Sequence, residues 1–221
     1  KPILYPVSKA AYQSVPDLDE NIWNKVFMCL RKEHFDASLS QRKGYIETSP
    51  QATFLAPVIA KLIPNVKFIH LVRHPAEVVR SGLRRNWYSG HPADVNRITP
   101  HIESDFYNQW NEMTLFQQNA WLWAETNRWI LEFIETIPES RSFTLHSEDL
   151  YSGQPLALTS LFEFCGSSLP SSRQIGNVLS RKLNKQKTGD YPQPNHWPVE
   201  KLKELNDFTG NIATKLGYEL I

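Results

Sequence analysis

The stretch from Lys67 to Arg85, KFIHLVRHPAEVVRSGLRR, constrains this chain more than any other. Phe68, Ile69, Leu71 and Val72 form a short apolar run of strand character. The run ends at a basic residue, Arg73, and Pro75 follows where a helix tolerates proline best, in its first turn. Val78, Val79 and Leu83 then recur at helical spacing. The segment therefore reads as strand, sharp turn and helix. Arg73 leaves the carboxyl end of the strand, where open α/β sheets place their ligands. Ser81 lies two turns into the helix, eight residues after Arg73. A guanidinium offers a planar fork of donors suited to phosphate oxygens, and a hydroxyl adds a neutral donor. Arg73 and Ser81 are thus candidates to converge on one anion.

The rest of the chain alternates helical and strand patterns. Residues 1–19 carry Pro2, Pro6 and Pro16 and read as irregular. Glu20 to Phe35 reads as an amphipathic helix with Ile22, Val26, Phe27 and Leu30 on one face. Gly44 to Pro50, GYIETSP, reads as a short strand and turn, and Phe54 to Leu62 as a helix. Tyr88 to Phe106 is loop-like. Gln109 to Ile137 is the longest helical candidate, with Asn119, Trp123, Asn127, Leu131 and Ile134 near one face and Pro138 as its stop. Ser142 to Leu150 reads as a strand. Pro155 opens a helix to Cys165, with Gly166 as its C-cap. Ser167 to Trp197 is polar and loop-rich, and Val199 to Leu216 is a final helix. No repeat is visible. The alternation predicts one parallel-sheet α/β domain.

A length of 221 residues suffices for one such domain. The net charge of +1 gives no global attraction to nucleic acid or acidic membranes, so any anion site must be a local device. Cys29 and Cys165 lack metal-type spacing, and their apolar neighbours predict buried free thiols. No apolar run is long enough to span a bilayer, and no signal peptide is visible. With no Asn-x-Ser/Thr site either, the cytoplasm is the expected compartment.

The Arg73–Pro75–Ser81 pattern resembles the 3′-phosphate-binding motif of sulfotransferases that use 3′-phosphoadenosine 5′-phosphosulfate (PAPS). Three further segments are similar to that family. Glu148, Asp149, Leu150, Pro155 and Gly166 fill the places of a recurrent Glu-Asp-Leu element. Either carboxylate can satisfy backbone N–H groups of a turn, or the pair can serve acid–base work. Lys182 to Trp197 sits where the family has a basic loop that closes over the nucleotide, and Lys185, Lys187, Thr188 and Gly189 suit a phosphate edge. Gly217 and Tyr218 resemble the family's closing Leu-Gly-Tyr, a packing element. GYIETSP resembles the strand and turn preceding the Arg strand, which makes Glu47 either a general base or a turn-capping carboxylate.

The resemblance implies a three-layer α/β sandwich with a mostly parallel central sheet, the P-loop-NTPase-like sulfotransferase fold. It implies transfer of a sulfuryl group from PAPS to a hydroxyl or amine on a small-molecule or carbohydrate acceptor, leaving adenosine 3′,5′-bisphosphate, with no metal required. Arg73 and Ser81 would hold the 3′-phosphate. The family's amino-terminal phosphate loop, roughly Pro-Arg-Ser-Gly-Thr-Thr, has no counterpart in this sequence. Residues 1–221 are therefore expected to be a single domain lacking its first strand and that loop. A degenerate binding module and a nucleotide kinase-like phosphoryl transferase are the alternatives. The tryptophans between Trp87 and Trp129 form either an acceptor wall or core.

Overall fold

A computed structural model describes residues 4–13, 20–152, 154–180 and 189–219. The chain divides into two compact units, one of Lys1–Val66 and His91–Asn111, the other of Lys67–Gly90 and Glu112–Ile221.

The first unit is helical. Its elements are α1 (Leu4–Gln13), α2 (Glu20–Ser40), a 3₁₀ segment at Pro50–Leu55 that runs into α3 (Ala56–Leu62), and a short 3₁₀ turn at Pro92–Asn96. The irregular start expected from the prolines is thus partly helix. Pro6 is accommodated because it lies in the first turn of α1, where its missing N–H has no intrahelical partner to lose. Leu4, Phe27, Leu55, Ala56 and Ile59 are buried. In α2 the buried face centres on Phe27 and Arg31, whereas Ile22 is 48% exposed, which shifts the apolar face away from the predicted one. The strand expected within GYIETSP does not form. Residues 44–49 are irregular, and the turn is organised by side chains instead of a ladder. Cys29 is exposed on α2 and Cys165 is exposed at a helix end, so the expectation of buried thiols fails for both.

The second unit carries the sheet. Here lie β1 (Phe68–Val72), α4 (Pro75–Arg84), α5 (Leu115–Glu135), β2 (Ser142–His146), α6 (Ser147–Tyr151), α7 (Pro155–Cys165), α8 (Ser172–Leu179) and α9 (Val199–Lys215). The strands β1 and β2 pair in parallel, with Phe68 opposite Ser142 and Val72 opposite His146. Among the described residues the sheet has these two strands, and it is parallel as expected. The predicted strand at Ser142–Leu150 stops at His146, and its last residues wind into α6.

Alternation across the pleat places Phe68, His70 and Val72 on one face. Val72 packs there with Trp123 of α5 and with Ile212, Ala213 and Leu216 of α9. The ring of Phe68 meets Phe133 edge-on at 4.9 Å. On the opposite face Phe143 stacks on Phe164 of α7 at 5.3 Å. Helices therefore flank the parallel sheet on both faces. A second cluster joins Ala76 and Val79 of α4 to Phe116 and Ala120 of α5, Leu205 of α9 and Trp197. The helix α5 starts later than predicted because Thr114 and Gln117 form a reciprocal capping box there. No helix among the described residues is long and apolar enough to cross a membrane.

The sheet face toward α5 holds one polar pair. His70 is buried, and its Nε2–H donates to Oδ1 of Asn127 at 2.8 Å. Its Nδ1 is buried and has no hydrogen-bond partner among the described residues. Burial pushes the imidazole below its ordinary pKa, the bond to Asn127 opposes that, and nearby His146 adds to the lowering. Neutral His70 thus contributes stability in full above the unfolded value of about 6.5. The contribution is lost as pH falls from there through the depressed folded pKa. The melting temperature should fall between about pH 7.5 and about pH 5.5. In His70→Gln, which keeps a donor for Asn127 but cannot titrate, the slope should shrink to the part due to His74, which burial also shifts down. Calorimetric melts across this range check it.

Candidate functional site

The carboxyl ends of β1 and β2 are held together through a single peptide group. The carbonyl of Arg73 accepts from the indole Nε1–H of buried Trp123 at 2.9 Å. The N–H of His74, on the other side of the same peptide bond, donates to the Glu148 carboxylate at 2.9 Å. Both polar atoms of the turn are therefore satisfied by residues far away in sequence. His74 is the N-cap of α4, and its Nδ1 accepts from the Ala76 N–H at 3.3 Å. Pro75 occupies the first helical position.

Glu148 serves as the hub. Besides His74 it accepts from the Tyr218 hydroxyl at 3.1 Å and from the Ser147 hydroxyl at 3.2 Å. Partial burial raises its pKa, but these hydrogen bonds outweigh that and hold it ionised below the usual range. Burial and the Glu148 charge push the Tyr218 phenol upward, so it remains a donor. Tyr218 also meets the rings of His74 and His146 edge-on at 5.2 and 5.1 Å. The carboxylate thus follows the turn-satisfying reading, although the turn it satisfies is the one after β1. Tyr218 does more than pack, because it orients Glu148.

Arg73 lies in this turn, and α4 presents Ser81. The helix lies close against α5 because residue 82 is glycine. A Cβ there would collide with the Asn119 side chain and approach Trp87 to 2.7 Å. Arg73 is half-exposed and pairs with Glu77 through Nη2 at 2.9 Å. The Ser81 hydroxyl accepts from Nη1 of Arg85. Two other arginines of the helix reach the described part of the Lys182–Trp197 segment. Arg80 Nε donates to the carbonyls of Tyr191 and Pro192 at 3.1 and 3.0 Å, and Arg84 Nε to that of Gly189 at 3.0 Å. Gly189 has φ +77, and a Cβ there would strike the Arg84 carbonyl, so both backbone and space demand glycine. Lys185, Lys187 and Thr188 lie outside the described residues.

Glu47 belongs to the first unit. It pairs with buried Arg31 at 2.5 Å and accepts from the Tyr45 hydroxyl at 2.7 Å and the Ser49 N–H at 3.1 Å. Burial raises its pKa, but the donors from Tyr45 and Arg31 lower it further, so Glu47 stays ionised. The Tyr45 phenol is pushed up to about 12, chiefly by burial. Glu47 therefore caps its turn and is a poor proton acceptor near neutral pH.

Of the tryptophans weighed as an acceptor wall, Trp121 and Trp123 are core. Sequence patterns single out Arg73 and Ser81 but not the anchors Trp123, Arg80 and Arg84. Trp123 acts across 50 residues, and nothing in local spacing marks such a bond. Trp123→Phe should leave the Arg73 carbonyl unsatisfied and destabilise the chain by about 1–3 kcal/mol. Urea unfolding should show this as a lower midpoint at unchanged slope.

Comparison with known proteins bears on the family and the fold. No curated protein matches the chain. A solved structure, the sulfotransferase domain from the curacin biosynthetic pathway, superposes with a TM-score of 0.54 at 19% sequence identity, over 90% of this chain and 69% of that one. At that identity the likeness is one of fold. The profile of the sulfotransferase family matches residues 9–171, which take in the Arg73 strand, α4 and the Glu148 hub, and the chain belongs to that family.

Proposed function

We propose that this protein transfers a sulfuryl group from PAPS to a hydroxyl or amine on a small-molecule or carbohydrate acceptor. The observation that carries the reading is the placement of Arg73 at the carboxyl end of β1 and Ser81 on the helix that follows, in a chain of the sulfotransferase family. Arg73 and Ser81 hold the 3′-phosphate, and Gly189 lets the edge of the basic loop approach α4. In the reaction the acceptor atom attacks sulfur as the bond from sulfur to the 5′-phosphate oxygen breaks. The electron pair leaves with adenosine 3′,5′-bisphosphate, and the acceptor's proton passes to a base. Glu47 could take that role only by giving up donors it already holds.

The 3′-phosphate sets the selectivity. A charge-assisted contact of this kind is worth about 1.5–3 kcal/mol. Adenosine 3′,5′-bisphosphate should therefore bind at least tenfold or so more tightly than AMP, and Arg73→Ala should remove most of that preference. Titration calorimetry with both nucleotides measures it. Equal affinities in the wild type would refute the assignment.

A further inference from the structure

We propose that Arg85 is a third ligand of the 3′-phosphate, an inference that rests on the reading of Arg73 and Ser81 above. Residues 77, 81 and 85 fall four apart along one ridge of α4 and its C-cap, and Arg73 lies in the turn just before the helix. Arg73 reaches forward to Glu77 at the start of this ridge, and Arg85 reaches back to Ser81 from its end. Any phosphate oxygen that accepts from the Ser81 hydroxyl therefore lies beside the Arg85 guanidinium.

The hydrogen-bond inventory fits. Ser81 accepts from Arg85, which leaves its own proton to donate to an anion. A guanidinium has five N–H donors, and the contact with Ser81 uses one of them. The backbone of Arg85 is fixed as the C-cap of α4, with its N–H bonded to the carbonyls of Gly82 and Leu83, so the side chain springs from a rigid element.

Charge makes Arg85 necessary rather than merely available. A phosphate monoester carries about −1.5 to −2 near neutral pH. Arg73 shares its charge with Glu77 at 2.9 Å and cannot neutralise that alone. Ser81 stands toward the carbonyl end of α4, where the helix dipole is negative and repels an anion. Arg80 and Arg84 lie nearby but direct their Nε donors to backbone carbonyls of residues 189–192. Among the described residues no carboxylate comes within ion-pair distance of Arg85. Its charge is therefore uncompensated where the second charge of the phosphate would sit.

The test is calorimetry of adenosine 3′,5′-bisphosphate and AMP on the 221-residue chain and on Arg85→Ala, Arg85→Lys, Ser81→Ala, Arg73→Ala and the Ser81→Ala/Arg85→Ala double variant. Arginine Nε–H NMR signals are followed in parallel, and circular dichroism confirms that each variant is folded. Arg85→Ala should weaken the bisphosphate about tenfold and leave AMP within about twofold, with partial recovery in Arg85→Lys. In the double variant the combined loss should be smaller than the two single losses added, because Arg85 acts in part through Ser81. The Arg85 signal should shift with the bisphosphate and not with AMP. If Arg73→Ala costs its tenfold or so while Arg85→Ala changes nothing, or weakens both nucleotides alike, Arg85 is not a ligand and the Arg73 assignment survives. If the wild type fails to distinguish the nucleotides, the underlying assignment falls and takes this one with it.

Discussion

The structure around the candidate site depends on one peptide group, between Arg73 and His74. Its carbonyl is held by Trp123 of α5 and its N–H by Glu148 of α6. The turn is only partly buried, yet both polar atoms of this peptide take their partners from elsewhere in the chain. Each partner is itself fixed. Trp123 is buried in the cluster with Val72 and Ile212, and Glu148 is fixed by Tyr218 and Ser147. The direction in which Arg73 leaves β1 is therefore set by side chains of three other segments. If Arg73 meets a phosphate as proposed, that rigidity reduces the freedom lost on binding.

The helix α4 divides its faces by task. Ala76 and Val79 enter the core, and Gly82 lets the helix lie against Asn119 and Trp87. Its arginines face outward but are not equivalent. Arg80 and Arg84 donate to carbonyls of the 189–192 segment, which fastens the far edge of the basic loop to the helix carrying Ser81. Gly189 completes that attachment, because any side chain there would meet the Arg84 carbonyl.

Two carboxylates show how context assigns roles. Glu47 and Glu148 each accept several hydrogen bonds and each stays ionised. Glu47 answers a buried arginine and orders an irregular turn in the first unit. Glu148 answers a backbone N–H and orders the exit of the sheet. Neither presents a free basic oxygen, so both stabilise geometry.

The strand–turn–helix from Phe68 to Arg84 was legible in the sequence because each of its signals is local. An apolar run, a proline in the first turn and helical periodicity act within a few residues. The helix from Pro155 to the Gly166 cap was legible for the same reason. The helix at Leu4–Gln13, the missing strand within GYIETSP and the exposed cysteines were not, because a residue's burial depends on what packs against it. The sequence by itself determined the α/β character of the Arg73 unit and the spacing of Arg73 from Ser81. Only the tertiary structure decided that Trp123 and Glu148 hold the turn and that Glu47 is already engaged. Those bonds join residues whose separation along the chain reaches 74 positions, and they exist only once the packing has brought their elements together.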